Sequence, residues 1–309
     1  MKGLSQPPLR ESCFGLTLTN LLLWELLAAD ELVIPWVKHL AAIMNLSFSK
    51  IGISPKLIFI HEDPYANGSR FRRSLLHIRH HAPGIPLQGW EEQNLGIVRF
   101  WRHPESLDII CAILENRRRD IRVTQMWTAL SPIYEAVQNS GGLLFHGGLA
   151  ELNSSGVLLV GPSGAGKSTC SRRIPPPWRP LCDDEVLVVR DDLNQYHAHP
   201  FPTWQELICG DRNRSWDVQQ YVPLKALFFL NRSNVDEVRP ILPGKAAVWI
   251  YKSIQEMRER NDFSVTHDKE KALTFKLFEN VCMLAKSVPC FTLGATLTGR
   301  FWEEMEKVL

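Results

Sequence analysis

A chain of 309 residues with 45% hydrophobic residues and a formal net charge of +2 is long enough for two ordinary domains with full cores. Its balance of 35 basic against 33 acidic residues excludes an overall electrostatic design for nucleic acid or for a membrane surface, and neither partner is expected. Seven cysteines at 13, 111, 170, 182, 209, 282 and 290 form no C-x-x-C pair and are odd in number, which speaks against a disulfide framework or a zinc site and for reduced thiols in a cytoplasmic protein. The most apolar early run, Leu16 to Ala29, contains Asn20 and Glu25, is too short to span a bilayer, and lacks a basic flank and a cleavage site, so no membrane span and no targeting signal is expected.

From Phe14 to about Ser140 the pattern is that of a small mixed α/β domain, assigned to residues 1–140. Pro35 opens a helix to about Leu46, with Trp36, Val37, Leu40, Ala41, Ile43 and Met44 at helical spacing. Leu57 to Ile60, Ile97 to Trp101 and Leu107 to Leu114 are strand-like runs, the last also compatible with a helix, and Asp63 to Gly68 and Ala82 to Gly89 carry loop punctuation. A helix is expected over Val123 to Val137, and Asn139-Ser-Gly-Gly142 marks the boundary to a second domain at 141–309.

The second domain opens with a strand at Leu143 to Phe145, then His146-Gly-Gly, then the apolar run Gly156 to Val160. That run enters Gly161-Pro162-Ser163-Gly164-Ala165-Gly166-Lys167-Ser168-Thr169, which meets every position of the Walker A pattern G-x-x-x-x-G-K-[ST]. The glycines let successive backbone N–H groups point into one concavity, and a helix starting near Gly166 adds its positive end. Lys167 then reaches the β/γ phosphates and the Ser168 hydroxyl is placed for Mg²⁺. A chance Gly-rich turn is the weak alternative, so a nucleotide-phosphate site is expected over residues 161–169. The helix must be short, because Pro175-Pro-Pro177 cannot continue it.

Phosphoryl transfer also needs a group to hold the metal and a group to accept the proton of the attacking atom. Asp183 and Asp184, one short helix and turn beyond Lys167, are the candidates: adjacent carboxylates at a strand end point opposite ways unless the backbone turns, which would give a metal-facing group and an acceptor-facing base, the alternative being an Asp-Asp turn that opens a hairpin. Downstream, Glu185 to Val189 and Tyr196 to His199 form a hairpin through Asp191-Asp-Leu-Asn194, and Leu224 to Leu230 is a buried strand. Lys269 to Lys286 is helical, with Leu273, Leu277, Phe278, Val281, Leu284 and Ala285 on one face, and a last helix starts near Arg300.

His146-Gly147, then Gly156-Val-Leu-Leu-Val-Gly-x-Ser-Gly-x-Gly-Lys-Ser168, then Asp183-Asp184 before an apolar strand resembles the core of the HPr kinase/phosphorylase family over about residues 143–190. His199-Pro-Phe-Pro-Thr-Trp204, Pro223 to Leu230 and Pro243-Gly-Lys-Ala-Ala247 are similar to divergent HPr-kinase-related proteins of peptide-modification gene clusters, nearest the SynChlorMet cassette protein ScmC type. The resemblance implies an α/β fold with a PEP-carboxykinase-like P-loop domain preceded by the small α/β domain. It implies ATP and Mg²⁺ as cofactors and phosphorylation of a seryl hydroxyl on a peptide or protein acceptor. On the matching positions Asp183 is the base, Asp184 with Ser168 the metal side, Lys167 the phosphate cation, and His146 the neighbour that orients or tunes the base. The family's P-loop commonly ends Lys-Ser-Glu where this chain has Lys167-Ser168-Thr169, and its Glu-x-Arg-Gly-x-Gly signature is unmatched. Neither the phosphorylase reaction nor HPr as substrate is therefore carried over.

The remaining signals are weaker. His77, His80 and His81 share a helical spacing without a third ligand and are read as a polar helix face. Arg70, Arg72, Arg73 and Arg79, with Arg117, Arg118, Arg119 and Arg122, are read as solvated surface, the functional alternative being a docking face for a peptide. Trp204 and Trp216 are candidates to line an acceptor groove. Asn231-Arg-Ser-Asn234 is similar to the Asn-Lys-x-Asp guanine reader of GTPases but lacks its acid, and is read as a turn. The rival to a kinase is a nucleotide-gated, non-catalytic subunit of a peptide-modifying assembly. A homo-oligomer, and ATP against GTP, are left open by the sequence.

Overall fold

The computed structural model describes residues 12–19, 22–49, 52, 55–62, 69–82, 84–210, 214–260 and 267–309. It leaves out the expected loop at Asp63 to Gly68 and the side chains of Arg70, Arg72, Arg73, His80 and His81. The protein is mixed α/β, built on two sheets. It parts into two compact units, one of residues 1–17, 22–133 and 204–215, the other of 18–21, 134–203 and 216–309.

The first unit runs β1 (Cys13–Leu18), β2 (Leu22–Ala28), α1 (Ile34–Ile43), β3 (Lys56–Glu62), α2 (Ser69–His81), β4 (Glu91–Asn94), β5 (Val98–His103), β6 (Ser106–Leu114) and α3 (Arg119–Ala129). Its sheet has the order β1-β2-β3-β6-β5-β4, with β2, β3 and β6 parallel and β4, β5 and β6 antiparallel to their neighbours. Apolar runs such as Ile58 and Ile60 on β3 and Ile110 and Ala112 on β6 are buried and pack with Leu75, Ile78 and Ala82. The segment 107–114 is thus a strand, its β-branched residues preferring the pleated surface to a helix. The helix expected over 123–137 is two helices, α3 and α4 (Ser131–Asn139), broken at Leu130. Pro132 supplies the break: it has no N–H to donate to Thr128 and its ring would strike that carbonyl.

The second unit holds β7 (Leu143–Leu152), β8 (Ser155–Val160), α5 (Lys167–Arg173), β9 (Arg179–Cys182), β10 (Glu185–Arg190) and β11 (Tyr196–Phe201). After α6 (Trp204–Cys209), which counts with the first unit, come β12 (Val222–Arg232), β13 (Glu237–Pro240), α7 (Pro243–Arg260), α8 (His267–Ser287), β14 (Cys290–Ala295) and α9 (Phe301–Glu306). The eight strands run β11-β10-β7-β8-β12-β14-β13, with β9 on β7 and a further pairing of β11 to β12. The first strand of this unit does not stop at Phe145: β7 continues through His146-Gly-Gly to Leu152, antiparallel to β8. β8, β12 and β14 are parallel.

Burial on both faces explains the unbroken apolar runs of the central strands, with Val157 to Val160 and Ala226 to Leu230 all 6% exposed or less. Each such side chain contributes about 1.5–3 kcal/mol on burial. One face of β8, β12 and β14 packs Cys170 of α5, Ile174 just after it, and Phe301 and Met305 of α9. On α8, Leu277, Val281, Leu284 and Ala285 are buried as the helical period requires, but Phe278 is 49% exposed and edges the Tyr251 ring instead.

Candidate functional site

β8 delivers Gly161 at the carboxyl edge of the parallel strands, the edge at which open α/β sheets bind ligands. Two turns of the loop require a left-handed backbone: Gly164 has φ +78° and Gly166 φ +104°, with nothing within 4 Å of where a Cβ would project. The loop is therefore an open cradle of backbone, with Pro162, Ser163 and Gly164 exposed and Ala165, Gly166 and Ser168 half-buried. Thr169, the last residue of the pattern, is exposed on α5. With seven residues α5 has little dipole to add, so an anion at this loop would depend on the loop N–H groups and Lys167. Lys167 is 6% exposed and its Nζ donates to the carbonyls of Gly161 (2.7 Å) and Pro162 (3.2 Å), which folds the amine back over its own loop. At the far end of α5, Arg173 Nη1 donates to Thr296 O (2.6 Å) and Nη2 to Gly299 O, with its guanidinium 5.3 Å above the Phe301 ring.

Asp183 and Asp184 fill the bend between β9 and β10, which both pair with β7. Gly147 N donates to Asp184 O (3.0 Å), so the backbone of the second acid is pinned to β7. Glu185 pairs in register with His146, and His146 Nδ1 lies 3.0 Å from Asp184 Oδ1. The histidine expected to tune Asp183 thus sits on Asp184. Asp183 has a different partner, which no pattern in the sequence singled out: Thr203 Oγ1 donates to its Oδ1 at 2.9 Å. Thr203 is 5% exposed, just beyond β11. The flanking residues of the bend are locked in the interior. Glu185, 1% exposed, accepts the Tyr134 hydroxyl at 3.0 Å, and Cys182 donates its thiol to Glu185 O, burial pushing that thiol up to about 12.

Gly148 brings the acids and the loop helix together. A Cβ there would lie 2.8 Å from Ser171 Oγ of α5, which would have to turn aside, and 3.8 Å from Asp183 Cα, so helix and bend both approach the strand closely at this point. The last turn of α5 and the bend that carries Asp183 thus both lie against β7 at Gly148. Sequence reasoning also missed Arg232, the last residue of β12, whose Nη2 donates to Gly164 O at 2.8 Å. An arginine closing an unbroken apolar strand was the available signal. Trp204 and Trp216 line no groove: both are 2% exposed and belong to the interior. Among the described residues no three His, Cys, Asp or Glu side chains converge as a metal site, and His77 is an exposed residue of α2. All seven cysteines are free. No helix among the described residues is long and apolar enough to cross a membrane.

Fold and site together define a two-sheet α/β protein with a Walker A loop at the carboxyl edge of its parallel strands. Residues 109–309 match the family of SynChlorMet cassette protein ScmC, and the chain belongs to that family. Among solved structures, that of the Hpr(Ser) kinase/phosphatase from Coxiella burnetii is similar at 17% identity, over 32% of this chain and 71% of that one, with a TM-score of 0.22. No curated protein matches the chain.

Proposed function

We propose that this protein binds ATP with Mg²⁺ at residues 161–169 and transfers the γ-phosphoryl group to a hydroxyl, seryl by preference, of a peptide or protein, on a P-loop domain of the PEP-carboxykinase kind in the cytoplasm. The observation that carries the reading is the convergence at Gly148, where α5 of the loop and the Asp183 backbone meet on β7. A loop that only bound nucleotide would have no use for two acids at that place.

The residues fit the groups they would hold. The open cradle at Gly164 and Gly166 suits a phosphate chain, and a hydroxyl with a carboxylate, Ser168 and Asp184, suits a hard cation that keeps most of its waters. Bound Mg·ATP supplies the electrophilic phosphorus and a metal that neutralises charge as the phosphorus–oxygen bond to the leaving diphosphate breaks. Lys167 moves from its loop carbonyls to the phosphates. Asp183, oriented through Oδ1 by Thr203, takes the hydroxyl proton on its other oxygen as the acceptor oxygen bonds to phosphorus. His146 fixes the side chain of Asp184.

Incubation with Mg·ATP labelled on the γ-phosphate tests this, with synthetic seryl peptides as acceptors and water as the default acceptor. Label on a peptide or in inorganic phosphate, absent with Lys167→Ala, is expected. Tight binding with no label in either product would favour the non-catalytic, nucleotide-gated subunit.

A further inference from the structure

We propose that Arg232 is a second cation of the phosphate-binding loop and contacts the phosphates of the bound nucleotide. The inference rests on the reading of residues 161–169 as a nucleotide site and adds to it a residue outside the Walker pattern. β12 lies parallel to β8 with Phe229 opposite Val160, so where β8 ends and the loop begins, β12 continues for three more residues along the loop's flank. Packing is close there: a Cβ on Gly161 would lie 3.4 Å from both Cβ and O of Leu230. Two residues on, Arg232 reaches over the loop and donates through Nη2 to Gly164 O at 2.8 Å. The turn that follows is held from its other side, since Ser233 N donates to Ala295 O (3.4 Å) and Asp236 Oδ1 accepts from Thr296 N (2.6 Å).

The charge balance of this arrangement points to an anion. A guanidinium carries five N–H donors and one full charge, and the contact with Gly164 uses one donor and neutralises no charge. Arg232 is exposed, and among the described residues it has no carboxylate within ion-pair distance. Holding a loop in shape needs a donor, not a cation, and a glutamine would serve. A permanent cation fixed to the crown of a loop whose N–H groups open into a concavity is what a di- or triphosphate would recruit, by charge-assisted hydrogen bonds that leave the bond to Gly164 in place. The segment Asn231-Arg-Ser-Asn234 is then no mere turn: its second residue belongs to the site.

Calorimetric titration of full-length protein with Mg·ATP and Mg·ADP, at low and moderate salt, separates charge from shape. Arg232 is exposed, so substitution leaves the core untouched. Arg232→Gln keeps a donor for Gly164 O and loses the charge, and is expected to bind Mg·ATP about tenfold more weakly with a smaller salt dependence; Arg232→Lys keeps the charge and stays within about threefold of the parent. A loss for ATP alone places the contact at the γ-phosphate, and an equal loss for both nucleotides places it nearer the ribose. Parental affinity in Arg232→Gln would overturn the inference and leave the arginine a clamp. Lys167→Ala is the separate control: if it binds as the parent does, the reading of the loop fails first.

Discussion

The two units differ in the partners they give to some of their charged groups. In the first unit two buried carboxylates are answered by cations. Glu25, 3% exposed, accepts from Ser49 Oγ (3.1 Å) and Gly52 N (2.7 Å) and stands 3.7 Å from Lys56 Nζ, while Glu62 at the end of β3 meets Arg99 at 3.3 Å. Gln125 closes the same sheet by donating to Ile97 O and Leu114 O. In the second unit Lys167 and Arg232 donate to loop carbonyls, and Asp183 is met by a neutral hydroxyl. Carbonyls and hydroxyls orient a charge without bringing an opposite charge to it, and Arg232 and Asp183 have such partners where Glu25 and Glu62 have cations. What distinguishes a working edge from a structural one here is the kind of partner, not the number of polar residues.

The comparison breaks most easily at Glu25. Glu25→Ala removes the carboxylate beside Lys56 and the acceptor of Ser49 Oγ and Gly52 N, and is expected to lower unfolding stability by about 3 kcal/mol, read by urea titration, with Mg·ATP affinity unchanged in the folded fraction. A parallel fall in affinity would show that the first unit's charges are not confined to structure. The second unit also has buried ionisable groups that are structural, His199 among them. His199, 0% exposed, uses Nδ1 as donor to Val218 O (2.7 Å), and burial lowers its pKa to about 4. The unfolded chain therefore binds a proton that the folded chain refuses between about pH 6.5 and 4. The associated stability is fully present above 6.5 and is lost as pH falls through that window, by about 3 kcal/mol in all. His199→Gln should flatten that acid slope in denaturant titrations run from pH 7.5 to 4.5. An unchanged slope would assign the acid sensitivity to other groups.

The Walker loop was legible because its chemistry is local: strand, glycines, lysine and hydroxyl are contiguous from 156 to 169. The hairpin, the buried strand before Arg232 and the short α5 were legible for the same reason. Long-range partners were not. Thr203 and Asp183 are twenty residues apart and meet only because β10 and β11 pair, while Arg232 reaches Gly164 across the β8–β12 register. Trp204 and Trp216 misled because polar and proline-rich neighbours in sequence say little about burial once a segment packs. α7, opening at Pro243 with Ala246, Ala247, Ile250 and Ile254 buried, went unread although its apolar spacing is helical. β14, between a helix and a final turn, is a six-residue run that periodicity does not separate from a helix end.

Charge held by neutral partners should matter for turnover and little for folding. Asp183→Asn is expected to lower γ-phosphoryl transfer about a hundredfold, equivalent to about 2.7 kcal/mol, with Mg·ATP binding and urea midpoint near parental. Asp184→Asn should instead raise the Mg²⁺ concentration at half-maximal rate. Parental rates and metal dependence in both variants would make the acids turn residues, and the contrast between the sheets would lose its chemical half.

The smallest effect is the sharpest, because it concerns a single neutral hydrogen bond. Thr203→Val keeps the shape of the side chain and removes the donor to Asp183 Oδ1. The carboxylate loses its orientation, not its identity, so kcat for labelled phosphate transfer should fall about tenfold while KM for Mg·ATP holds. Thr203→Ser restores the hydroxyl and should recover most of the rate. In the Asp183→Asn background the same Thr203→Val change should cost almost nothing further, since a group that acts through Asp183 has nothing left to act on. A full tenfold loss in that background would mean that Thr203 supports the bend between β9 and β10 by packing alone, and that the neutral partners of the second sheet are as structural as the ion pairs of the first.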